Sequence, residues 1–475
     1  MSSDRVKTNS FDETVKLQRS MESSDITSQI EYAPSQHADQ HTMHRTHTIA
    51  SGISLHLLDD PDRFPDGWNN RAMLTLFGSF LGMVGSLGFV NTGGVLQSYI
   101  SENILPDTPQ SSIAWIFSVY NFLAFGMTLI SGPVFDKVGC KIPIAFGIVV
   151  MMIGLMLTSV CKEVYQFVLS YGIIAGLGAA FTFGPFVACL SHYFLQKRAL
   201  AIGASYTGGG IGGVMLPLIF RALFPKVGFG WTVRIGAFIS FFFLVVGWLL
   251  VKDRHEEFRE HSDEHIVKQV IGSVDFMILF KNKLFFVIVV GLLFNGLAFL
   301  ITLVILPSYS TAWGNSPSES YLLIVVFNCF SIPGRIIPSF LADHYLGRFN
   351  TFCLTTTFSL IAFTAIWLPF GRHNIISLFM FAGCFGFSSG SVLSLSASLI
   401  ASIVKTQDVG KGLGTAFFIL SMGDLFGIPI AGAIATGSPE SFTHLVIFLT
   451  VCAGVGCVVS YVSRYLYEGF NLNRA

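Results

Sequence analysis

The stretch Tyr193-Phe-Leu-Gln-Lys-Arg-Ala-Leu-Ala-Ile-Gly-Ala-Ser-Tyr-Thr-Gly-Gly-Gly-Ile-Gly-Gly213 opens as a basic turn and continues as an apolar run full of small residues. Lys197 and Arg198 enter hydrocarbon only at high cost, so they mark a membrane edge, expected to be the cytoplasmic one. Beyond them Gly203, Ala204, Gly208, Gly209, Gly212 and Gly213 recur at small-xxx-small spacing, which lets helix backbones approach closely in lipid. Here the chain is expected to cross a membrane on a helix that packs tightly, or slides, against a neighbour.

The rest of the chain agrees with that reading. It has 475 residues, 52% of them hydrophobic and only 12% charged, with a formal net charge of zero. This is the composition of a polytopic membrane protein, and it gives no electrostatic basis for a nucleic-acid partner. From Ala72 onward, apolar segments long enough to span a bilayer follow one another. They lie near 72–98, 112–135, 142–161, 164–190, 199–224, 232–251, 285–309, 318–342, 351–370, 376–404, 411–436 and 444–466. The expected fold is therefore all-α, with twelve transmembrane helices in two six-helix halves, 64–251 and 285–466. A polar loop, 252–284, separates the halves. Residues 1–63 read as a disordered cytoplasmic tail, in which His37, His41, His44 and His47 lack any scaffold to make them metal ligands; 467–475 reads as a short second tail. With the N-terminus inside, about fifteen Lys and Arg fall on the inner side against five on the outer, an inside bias.

The halves echo each other. Gly132-Pro-Val-Phe-Asp-Lys-Val-Gly-Cys-Lys141 follows the second span and Leu341-Ala-Asp-His-Tyr-Leu-Gly-Arg348 the eighth. Each ends a helix with an Asp and then turns on Gly beside a basic residue, the pattern left by parallel repeats. These turns resemble the loops joining helices two to three and eight to nine throughout the major facilitator superfamily. The stretch at 193–213 is similar to the start of the fifth helix of its monocarboxylate porters, and Pro65-Asp-Gly-Trp68 to their entry motif. The plainer readings are a glycine-rich membrane helix and an interfacial Trp anchor. Ile332-Pro-Gly-Arg335, Gly347-Arg-Phe-Asn350, Trp367-Leu-Pro-Phe-Gly371, Phe387-Ser-Ser-Gly-Ser-Val392 and Gly427-Ile-Pro-Ile430 resemble the fungal branch of those porters that includes a plasma-membrane riboflavin transporter.

Few ionisable residues lie inside spans. Arg335, between Pro333 and Pro338, and Asp424 are costly in lipid and are expected to face the bundle interior or a wet cavity. Each is either a substrate contact or coupling site, or a structural hydrogen bond between helices. Asn91, Tyr120, Tyr206, Asn295 and Asn328 complete the candidate substrate-binding set, although any one alone serves equally as interhelical glue. Asp136, Lys137, Lys141, Lys197, Arg198, Asp343 and Arg348 form a candidate latch on the inner face. Lactate carriers of the resembled family have a membrane Lys where this chain has Asn91, and an Asp where it has Ser331; only Arg335 matches. The resemblance therefore implies alternating-access transport of riboflavin or a similar neutral heteroaromatic at the plasma membrane. Monocarboxylate permeation, a non-transporting nutrient sensor and a vacuolar location are the alternatives. No catalytic constellation, cofactor motif or Walker A loop occurs in the sequence, so neither enzymatic activity nor a cofactor is expected. The expected partners are a small-molecule substrate and the lipid bilayer, with a monomer sufficient for the task.

Overall fold

In the computed structural model the described residues are Phe64, 69–258, 282–372, 374–435 and 439–469. The N-terminal tail, the entry motif at 65–68, most of the central loop and the last residues lie outside them. Eleven helices among the described residues are long and apolar enough to cross a membrane. One of them, Arg198–Leu250, is 53 residues long and breaks at Gly228, whose φ of 73° leaves helical space. It is two crossings, 198–227 and 229–250, joined without a loop, which brings the number to twelve. In chain order they are α1 Asn70–Ile104, α2 Ser112–Val138, α3 Lys141–Thr158, α4 Val164–His192, α5 198–227, α6 229–250, α7 Lys283–Ala312, α8 Leu322–Leu346, α9 Arg348–Phe370, α10 Ile375–Ile403, α11 Thr406–Ile434 and α12 Glu440–Tyr467.

Short polar caps start several helices. Asn69 accepts from the Arg71 amide, Asn282 from Leu284 and Phe285, and Asn374 from Ile376. Ser316 and Glu319 form a reciprocal capping box ahead of α8. The two repeated turns are the same device with one residue of difference. Gly139 and Gly347 both take a left-handed φ, 84° and 85°, which a Cβ would resist. The Asp-to-Gly interval is one residue longer in the second copy, and α8 ends there in a π turn, Ala342–Leu346, which takes up the extra residue.

Glycine faces bring the helices together. On α1, Gly78 backs onto the Gly247 carbonyl of α6, and Gly85 onto that of Ser240, 2.9 and 2.8 Å from where a Cβ would stand. On α5, Gly208 and Gly212 meet the carbonyls of Phe80 and Val84, so α1 is held between α5 and α6. In the second half Gly334 of α8 abuts the Phe387 carbonyl, and Gly386 and Gly390 of α10 abut those of Phe327 and Ser331. Such backbone contact supplies packing energy where lipid gives no hydrophobic drive between helices.

The seam between the halves is formed by α2 with α11 and by α5 with α8. These pairs are equivalent under the six-helix repeat. Gly132 and Gly410 sit against each other's carbonyls, and Gly203 lies against the carbonyl of Arg335. The apolar core is continuous across this seam toward the face bearing the 139 and 347 turns, where Leu395, Leu399, Leu413 and Phe417 join the first half's cluster. Toward the opposite face the second half keeps a separate cluster around Trp367, Phe381 and Leu445.

Candidate substrate cavity

Between the two halves lies a cavity of about 440 Å³. It reaches from Arg335 and Phe417 in the interior to Ser98, Glu102, Arg221, Phe224 and Ser308, which are the ends of α1, α5 and α7 away from the basic turns. It is therefore open on one face and closed on the other.

Its walls come from both halves. Asn91 and Gly94 of α1, Tyr120, Asn121 and Phe125 of α2, and Gly213 of α5 face Gly296 of α7, Asn328 and Arg335 of α8, Ser389 and Ser396 of α10, and Phe417 and Asp424 of α11. Tyr120 stacks on Tyr171 with ring centres 4.4 Å apart, and its hydroxyl has no hydrogen-bond partner among the described residues. Asn91 donates to the Gly209 carbonyl at 3.1 Å and Asn328 to that of Ile324 at 3.0 Å. Each leaves its amide oxygen available. Arg335 is buried (4% exposed). One guanidinium nitrogen donates to the Tyr206 carbonyl, while its Nε is without a partner. Close pairing of Phe125, Phe183 and Phe417, with ring centres 5.2–6.1 Å apart, makes an apolar floor.

Five of the seven residues proposed from sequence as substrate contacts, Asn91, Tyr120, Asn328, Arg335 and Asp424, line this cavity. Two do not. Asn295 bonds to the Gly291 carbonyl and fills the space over Gly456 of α12; it holds α7 to α12. Tyr206 is fully buried, edge-on to Phe183, and reaches Arg335 only through its backbone. Sequence reading missed Asn121, Ser389, Ser396 and Phe417. Asn121 adjoins Tyr120, and Ser389 lies in the quoted 387–392 stretch, but nothing in either pattern tells which face points inward.

The closed face is held by reciprocal contacts. Asp136, at the end of α2, accepts the amides of Gly410 and Lys411 at 2.9 and 2.8 Å, the first turn of α11. Asp343, at the end of α8, accepts the Leu200 amide at 2.7 Å, the first turn of α5. Carboxylates at helix N-termini satisfy free amides and the helix dipole together. Arg348 binds Asp343 at 3.2 Å and crosses to the carbonyls of Leu195 and Gln196. Arg198, at the start of α5, is 1% exposed. It donates to Phe194 and Ser191 in its own half and to Thr406 and the Ala401 carbonyl in the other. Lys141 does not take part in this seam; it binds the Trp248 and Leu249 carbonyls and lies over the Trp248 ring, joining α3 to α6 within one half. Lys137 is half-buried beside Asp136 and Lys197 half-buried beside Arg198.

The Major Facilitator Superfamily pattern matches residues 73–427, and again 289–469. The chain is similar to the riboflavin transporter of Saccharomyces cerevisiae, with 32% identity over 426 residues covering 87% of this chain and 81% of that protein. It is also similar to the agnestins efflux protein of Paecilomyces divaricatus, with 33% identity over 83% of this chain and 87% of that one. The fujikurins efflux protein of Gibberella fujikuroi is 30% identical over 86% of each chain. With twelve membrane crossings, two matched halves and these similarities along nearly the whole described length, the chain belongs to the major facilitator superfamily of multi-pass membrane transporters.

Proposed function

We propose that this chain carries a neutral, hydroxylated heteroaromatic solute, riboflavin foremost, by alternating access. The observation that supports this most is the cavity itself. Its 440 Å³ fall within the range of about 300–1000 Å³ usual for small-molecule sites. It offers ring faces for stacking and carboxamides, hydroxyls and one guanidinium for polar edges. Asn91 in place of a membrane Lys suits an uncharged solute, and the similarity to a riboflavin transporter points the same way.

The halves would rock about this site. In the state described, the Asp136 and Asp343 caps with Arg198 and Arg348 seal the basic face. Breaking them, and closing α1 against α7 at the far end, would present the cavity to the other side. The Lys and Arg bias supports an inner placement of the sealed face and of both termini, and the plasma membrane is the proposed site of action. The efflux proteins among the relatives favour export of a small product as the second reading; Arg335, a lining residue whose buried Nε has no partner among the described residues, favours a monocarboxylate as a third.

Uptake of radiolabelled riboflavin, lactate and pyruvate by cells overexpressing the chain, with and without a proton uncoupler, tests this. Riboflavin uptake above control cells is expected. Arg335→Ala should lower it about tenfold or more at unchanged surface expression, since hydrogen bonds to charged groups are worth about 1.5–3 kcal/mol. Uptake of lactate alone would refute the proposal, and binding without translocation would indicate a sensor.

A further inference from the structure

Asp424 lies on the cavity wall, 9% exposed. No described residue donates a hydrogen bond to it, and no described Lys or Arg lies within ion-pair distance. The other two buried aspartates of the bundle, Asp136 and Asp343, are each held by amides of a neighbouring helix. On α11, Gly423 and Gly427 take up the packing against Leu293, Leu297 and Ile301 of α7, so the carboxylate is not needed for that contact.

Arg335, on α8 of the same half, is in a like position on the cavity wall. It uses one nitrogen on the Tyr206 carbonyl and leaves Nε unpaired. Glu102 and Arg221, the other charged lining residues, stand exposed at the mouth. The interior thus contains one acceptor and one donor of opposite charge, both desolvated, and they are not paired with each other. Charges kept for helix packing are paired, because an unpaired one is costly in this setting. Two that face the same void are paired by whatever fills it.

We propose that Asp424 and Arg335 are the two poles of one recognition site. Asp424 accepts from the hydroxyl or N–H end of the solute, while Arg335 donates to carbonyls at the other. The pair selects solutes of zero net charge bearing donors at one end and acceptors at the other. A monocarboxylate would satisfy Arg335 and be repelled by Asp424; an organic cation would meet the reverse. This rests on the carrier reading and its cavity, and does not depend on riboflavin being the solute.

The test is equilibrium binding to the full-length chain in phosphatidylcholine nanodiscs, with riboflavin, benzoate and benzylammonium as probes. Melting temperatures are recorded alongside. Asp424→Asn should bind riboflavin about tenfold more weakly and benzoate about tenfold more tightly than the unaltered chain. Asp424→Glu should restore the original preference. Arg335→Gln should show the mirror change, gaining benzylammonium, and it decides the matter if Asp424→Asn fails to fold. An unchanged riboflavin-to-benzoate ratio in Asp424→Asn overturns the proposal. So does a variant that loses only the pH dependence of binding, which would make Asp424 a proton site. If the unaltered chain binds no riboflavin, the riboflavin reading falls, while the benzoate and benzylammonium arms still decide the poles.

Discussion

Asp136 and Asp343 each accept amide hydrogens from the first turn of a helix in the other half. Asparagine at either place keeps an acceptor but removes the charge that favours a helix N-terminus, a loss of about 1 kcal/mol. Asp136→Asn should therefore shift the balance of states several-fold toward the one open on the basic face. Distance measurements between spin labels on α2 and α11 should show a larger share of separated pairs, and an unchanged distribution would mean that the cap does not hold the seal. Asp253, just beyond α6, acts within one half. Burial pushes its carboxyl up, but the Cys140 thiol and amide and the His255 ring outweigh that and bring it down to about 2. Its folded value is thus below the ordinary value of about 4. The contact contributes fully above about pH 4 and is lost as pH falls through about 2. Asp253→Asn should destabilise the protein by about 2 kcal/mol, with a melting-temperature difference that persists from pH 8 to pH 5. A gap that closes within that range would contradict the assignment.

Among the helices, glycines divide by what surrounds them. A methyl on Gly208 would overlap the Phe80 carbonyl, whereas one on Gly94 meets nothing within 4 Å. Gly208→Val should cost about 1–3 kcal/mol through forced separation of α1 and α5. Gly94→Val should leave the fold in this state intact and reduce transport by filling the cavity. Thermal unfolding and uptake measured on both variants check the contrast, and equal loss of stability would deny it. Much of this was legible beforehand. The small-residue spacing at 203–213 indicated close approach, and the apolar runs located the crossings within a few residues. At the α5–α6 corner, 225–231 carries a Pro, a Lys and two Gly and reads as a loop, whereas in the structure Gly228 alone leaves helical space. The orientation of single polar residues was not legible. Asn295 and Asn328 sit in helices that are apolar around most of their circumference, where periodicity assigns no inner face; tertiary packing sends one to Gly456 and the other to the cavity.

At the scale of the molecule, the repeated turns were readable as a pair, but their partners were not. Nothing local in the sequence around Asp136 indicates Gly410, which lies 274 residues away. Separation in sequence likewise hides the role of Arg198, which donates to backbone carbonyls of both halves and to the Thr406 hydroxyl. The core, continuous across the seam on one side and divided on the other, is what makes the molecule open toward a single face in this state.

The reciprocal caps have one more consequence. Each half carries both a carboxylate that needs a helix start and a helix start that needs a carboxylate, so each displays the complement of what it offers. Severing the polypeptide within 259–281, beyond the anchored Asp253, should leave two fragments that recognise one another. Co-expressed from separate messages, they should assemble and recover transport, and fragments carrying both Asp136→Asn and Asp343→Asn should co-purify several-fold less.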